Sequence, residues 1–158
     1  MFGLRMLVTL SLATPMLSSF GCTCEEHDPQ VLFKNADGVF LARVTDTKLL
    51  DKQSLSPMGG TQSFTAGPES ADTVEAKFLV LEYFKKPVRE IREVHDLPYG
   101  IGNCSIPLMS GLQYVFFTSG GTGKWNYVGM CTGSSPVNPQ SKDYSALLDK
   151  LRGYGKTK

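Results

Sequence analysis

The chain has 158 residues, 41% hydrophobic and 20% charged, with 16 glycines, nine prolines and four cysteines. Sixteen Lys and Arg stand against 15 Asp and Glu, which leaves no electrostatic footprint for nucleic acid or anionic lipid, and neither is expected as a partner. The length suits one domain, large enough to bury a core but with reason to use cross-links.

Arg5 precedes an apolar run, Met6-Leu7-Val8-Thr9-Leu10-Ser11-Leu12-Ala13, that falls short of the roughly 20 residues a permanent span needs. Pro15 breaks the run, and Ser19 and Gly21 put small residues at −3 and −1 of a cut before Cys22. This pattern predicts a signal peptide over 1–21 and a single mature domain over 22–158, exported to the extracellular space or a periplasm. The competing reading, an uncleaved anchor, is disfavoured by the shortness of the run, and no later segment is apolar enough to be an integral span. Cleavage removes Arg5 and brings basic and acidic residues level.

All four cysteines, Cys22, Cys24, Cys104 and Cys131, lie after the cut. An even count in an exported chain argues for disulfides. Cys22 and Cys24 are too close to favour each other, so each is expected to take a distant partner. Closing loops of roughly 80 to 110 residues is worth about 4 to 5 kcal/mol each in the chain-entropy account. The competing reading of Cys22, Cys24 and His27 as metal ligands is weakened by the scarcity of histidine, of which there are two.

Asp28-Pro29 opens a short helix, Asp28 as N-cap and Pro29 in the first turn, with Val31, Leu32 and Phe33 on its buried side and Gly38 as its stop. Residues 39–45 are β-rich. The stretch 51–72, rich in Ser, Gly, Thr and Pro, predicts a mobile loop, with Met58 and Phe64 as candidate contacts. Residues 73–84 alternate Val74, Ala76, Phe78 and Val80 with Glu75, Lys77 and Glu82, as a strand does, and a shorter strand is expected over 90–97. Two more strands, 113–118 and 125–130, flank a glycine-rich turn at 119–124. A C-terminal helix follows, capped by Ser141, with Tyr144, Leu147, Leu148 and Leu151 on one face and Gly153 as its stop. The fold class expected is mainly β, a five-stranded closed barrel like the OB-fold, with a short N-terminal helix and a C-terminal helix.

Apparent catalytic motifs fail on their spacing. Gly120-Gly121-Thr122-Gly123-Lys124 lacks the P-loop's first glycine, where Thr118 stands, and its final hydroxyl, where Trp125 stands. His95-Asp96 near Ser105 suggests a triad, yet no nucleophile elbow surrounds the serine. No enzyme is read here, and no cofactor is expected.

The start of the mature chain is the most specific stretch. Cys22-Thr23-Cys24, then Asp28-Pro29-Gln30, Phe33 and Asn35-Ala36-Asp37, followed by a Val/Ala/Arg-rich strand, resembles the N-terminal, netrin-like domain of the tissue inhibitors of metalloproteinases. The resemblance continues more loosely through Tyr83-Phe84-Lys85-Lys86-Pro87, Cys104 and Cys131.

The resemblance implies an OB-like fold and a secreted, monomeric inhibitor whose partner is a zinc metalloendopeptidase. The amine and carbonyl of Cys22 would chelate the protease's catalytic zinc, which is not an intrinsic metal site of this chain, and Thr23 would enter the adjoining specificity pocket. Catalytic zinc keeps an open position for water that such a bidentate group can fill. Bridges from Cys22 to Cys104 and from Cys24 to Cys131 are implied, with Ile101, Gly102, Asn103 and Ser105 flanking the same edge. The sequence departs from the family at Lys34, where a third N-terminal cysteine is replaced, at Glu25 and Glu26, where apolar residues are expected, and in lacking the second, cysteine-rich domain. Two other readings compete: a netrin-like binding module without inhibitory activity, and a lipoprotein acylated at Cys22. Phe20 and Ser19 make a poor lipobox for the latter.

Overall fold

The computed structural model describes residues 24–25, 28–50, 72–100, 104–119 and 125–156. The signal peptide expected over 1–21 and, apart from Asp72, the loop expected over 51–72 lie outside them. Helix α1, Pro29–Asn35, starts as its sequence requires: the Asp28 carboxylate accepts the Gln30 N–H at 2.8 Å and Pro29 occupies the first turn. It ends at Asn35, before Gly38, and buries Phe33 while Val31 stays exposed. The ammonium of Lys85 donates to the carbonyls of Phe33, Lys34 and Ala36. A cation at the carbonyl end of a helix meets both its orphan acceptors and its dipole.

Strands β1 (Gly38–Leu50), β2 (Thr73–Lys85), β3 (Glu93–Asp96), β4 (Gln113–Thr118) and β5 (Ser135–Val137) form one antiparallel sheet in the order β3-β2-β1-β4-β5. β1 is central, and its first half is buried on both faces, so it reads as a continuous apolar run rather than an alternation. Phe40, Ala42 and Val44 join Ala76, Val94, Tyr114 and Phe116 on one face. Val39 and Leu41 join Phe84, Val115 and Phe117 on the other, where Phe33 of α1 and Leu148 and Leu151 of helix α2, Tyr144–Lys156, cover them. Each buried Val, Leu or Phe among them contributes roughly 1.5–3 kcal/mol by leaving water.

The sheet is not closed, which corrects the expected barrel. β3 and β5 remain as edges. The segment expected as a strand over 125–130 reduces to Tyr127, which bridges His95 on one side and Ser119 on the other. The amides of Tyr127 and Ser119 each bond the other's carbonyl, at 2.6 and 2.9 Å. Pairing stops there because Gly129 follows and the chain turns into a 3-10 helix, Met130–Thr132, that Gly133 terminates at φ 93°. That turn carries Cys131.

Two further differences have local causes. β5 is short and contains Pro136, which an edge strand tolerates but which hides the strand from a sequence reading. α2 runs through Gly153 to Lys156, and its approach is a capping turn in which the Ser141 hydroxyl accepts the Asp143 N–H at 3.3 Å. Arg152 on α2 forks onto Glu82 of β2 at 2.7 and 2.8 Å and also meets Asp149 at 2.7 Å, which raises its pKa and lowers that of Glu82. The pair is partly exposed, so it orients the helix more than it stabilises it.

Candidate functional site

Three of the four cysteines meet at one edge of the molecule. Cys24 is bonded to Cys131, the pair that the resemblance implies, across 107 residues of sequence with Cα atoms 5.1 Å apart. Cys104 is disulfide-bonded as well, to a partner outside the described residues. Its sulfur lies within 4.8 Å of both Cys24 and Cys131 sulfurs. All three sulfurs are in disulfides, so these three do not offer the thiolates a metal requires; of the competing set Cys22, Cys24 and His27, only Cys24 is described.

Three elements bring these cysteines together. Cys24 sits four residues before the Asp28 cap of α1. Cys131 rides on the 3-10 turn, whose position is fixed by the Met130 N–H donating to the Cys104 carbonyl at 2.8 Å. Two residues after Cys104, Ile106 is held by Asp96, the last residue of β3: its Oδ2 accepts the Ile106 N–H at 2.7 Å, and its Oδ1 accepts the Leu97 N–H at 2.8 Å. Burial pushes this carboxyl up to about 7, although both amides pull it down. Gly129 packs on the same carboxylate. A Cβ there would come within 3.1 Å of the Cys104 carbonyl and 3.6 Å of the carboxylate, so a side chain would make the carbonyl shift by a few tenths of an ångström.

Of the other residues expected at this edge, Cys22, Thr23, Ile101, Gly102 and Asn103 lie outside the described residues. Ser105 is described and is only 1% exposed, with its hydroxyl donating inward to the Pro98 carbonyl at 3.3 Å. What it offers the edge is therefore position rather than a side-chain contact. Asp96 was not read from sequence as part of this edge. Its signal, an acidic residue ending a strand of otherwise buried positions, was visible but was absorbed into the His95-Asp96 pair.

That pair is not a triad fragment. Asp96 spends both oxygens on backbone amides, and the His95 imidazole faces Glu75 at 3.6 Å and packs edge-on against Trp125 at 4.4 Å. His95 also lies near Glu93, with ligand atoms of all three within 4.8 Å of one another. The cluster does not suit a metal ion. The Asn126 N–H points at His95 Nδ1 at 3.4 Å, which puts the imidazole proton on Nε2, toward Glu75, where a metal would need a lone pair.

Beside the Cys24–Cys131 bridge, α1, α2 and the sheet enclose a groove of about 320 Å³ lined by residues including Cys24, Leu32, Met130, Leu147 and Tyr154. Among the described residues no helix is long and apolar enough to cross a membrane. Compared with known proteins, the chain matches no family model and no curated sequence.

Proposed function

We propose that the protein is a secreted inhibitor of zinc metalloendopeptidases that acts through its mature N-terminus, in the manner of the tissue inhibitors of metalloproteinases. The observation that carries this reading is the clustering of the three described cysteines around Cys24, two residues from Cys22. Four cysteines and a disulfide at Cys104 leave Cys22 as its partner in the proposal. Two bridges then clamp both sides of Thr23, so little ordering entropy remains to be lost on binding. A clamped terminus can present the Cys22 amine and carbonyl as a preformed chelate, with Thr23 directed to the neighbouring pocket.

The chemistry is consistent at neutral pH. A free α-amino group has a pKa near 8, so a usable fraction is unprotonated and zinc displaces the rest. Filling the open zinc position removes the water that a general base would activate.

The test is a panel of zinc endopeptidases assayed for residual activity against rising concentrations of the exported protein, whose N-terminus has been sequenced as Cys22. Stoichiometric loss of activity for at least one member is the expected result. An absence of inhibition across the panel would count against the proposal and favour a netrin-like module that binds without inhibiting. An acylated Cys22, visible in the intact mass, would replace it with the lipoprotein reading.

A further inference from the structure

The segment that carries Cys104 and Ser105 has no strand partner of its own. Residues 104–109 are irregular, and what holds their first half is a small set of polar contacts around one buried side chain. Asp96 is 8% exposed and stands at the end of an edge strand, where a leucine or valine would ordinarily fill the space. Burying a carboxylate is costly unless its oxygens are satisfied. Here each oxygen takes one backbone amide, one from the strand's own continuation at Leu97 and one from Ile106, ten residues on.

We propose that Asp96 is the positioning residue of the inhibitory edge: its two carboxylate oxygens join the end of β3 to Ile106 and so fix the chain at Cys104 against the Cys131 turn. This inference rests on the functional reading above and assigns that site a residue outside its contact surface. Gly129 completes the arrangement by allowing the turn to lie on the carboxylate and beneath the Cys104 carbonyl. Displacement of Ile106 would move Cys104, and with it the bridge that clamps the N-terminus.

Among the described residues, the groups facing the carboxylate are backbone groups: the Leu97 amide just after β3, the Ile106 amide from the 104–106 segment, and Gly129 from the turn. The residue paired with it on β2 is Val74, which carries no charge. His95, next along β3, points to the opposite face, toward Glu75. Burial and the two amides are thus what act on this carboxyl, and they leave it titrating at about 7. Loss of the carboxylate's charge weakens both amide bonds, since a hydrogen bond to an ionised acceptor is roughly twice as strong as a neutral one. The individual bonds are therefore stronger in the charged state, although burial makes that state the costlier one to hold.

The experiment follows the backbone amides of the full-length exported protein by NMR between pH 5 and 9, for the wild type and for Asp96→Asn. Asparagine has the same shape but only one acceptor oxygen, so it cannot serve both amides. In the wild type the Ile106 and Leu97 amide protons should shift together with one midpoint near 7. In the variant that titration should vanish, and Ile106 should exchange with solvent about tenfold faster, the size expected for losing one charge-assisted bond, while Phe116 at the sheet centre is unchanged. Inhibition of a susceptible protease should weaken about tenfold at pH 8, as that same bond predicts. An Ile106 amide that ignores pH in the wild type, or is equally protected in the variant, would overturn the positioning role; the wild-type titration decides this even where the variant fails to fold. Loosened Ile106 with undiminished inhibition would overturn the link to the inhibitory edge. A wild type that inhibits nothing defeats the functional reading alone, because the amide readout stands without it.

Discussion

The titration of Asp96 has a consequence for stability as well as for position. Its carboxyl lies at about 7 in the fold against an ordinary 3.8, so between these values the native state holds a proton that the unfolded chain has released. Stability from this group therefore rises as pH falls from 8 toward 4 and is lost as pH climbs through 7, by an amount on the order of 4 kcal/mol. Urea unfolding of the wild type and Asp96→Asn at pH 5 and pH 8 checks the sign. The wild type should lose stability at pH 8 relative to the variant, and a parallel pH dependence of the two would contradict the assignment. At this scale the sequence was legible where a residue's role is local, as with the Asp28 cap, and illegible where the partner is distant in sequence. Nothing near Asp96 marks Ile106 or Gly129 as its neighbours.

Among the elements, α2 shows how tightly the helix layer is set on the sheet. Its two glycines look alike in sequence and differ in the fold. A Cβ on Gly153 would meet nothing within 4 Å, whereas one on Gly155 would come within 2.6 Å of the Phe84 carbonyl of β2. Gly153→Ala should therefore stabilise the protein by about 0.5–1 kcal/mol through helix propensity. Gly155→Ala should destabilise it by about 1–3 kcal/mol, since helix or strand must move. Thermal melts of the two variants give opposite shifts if the packing is as described, and a stabilising Gly155→Ala would contradict it. The sequence reading stopped the helix at Gly153 because a glycine after an apolar face is an ordinary terminator. The helix instead runs on to Lys156, where Gly155 packs against the Phe84 carbonyl of β2. β4 is legible to its ends because it is a short continuous run of aromatic and β-branched residues, while β1 runs on to Leu50. Its second half is exposed and polar on its own, and it is a strand because β2 pairs with it. α1 is held by contacts with both β2 and α2. Lys85 caps its carbonyl end, and Phe33 meets Tyr154 of α2 edge-on at 5.5 Å.

For the whole molecule, the sheet supplies the platform, and the two helices cover one of its faces. The cysteine edge sits where the chain enters α1, where it leaves β3 and where it turns before β5. The cysteine count and the Cys-Thr-Cys start made that edge visible in the sequence, but not the open sheet, because closure depends on how far Tyr127 pairs on its two sides. In the proposed function the free amine of Cys22 is the working group. Placing one alanine before Cys22 converts that amine to an amide, a poor zinc ligand, and adds bulk toward the metal. The extended protein is expected to keep its bridges and its melting temperature. Residual activity of a susceptible zinc endopeptidase, titrated with authentic and alanine-extended protein at matched oxidation state, is the most direct measurement. The account predicts that the extended form loses nearly all inhibition, and equal inhibition by the two forms would contradict it.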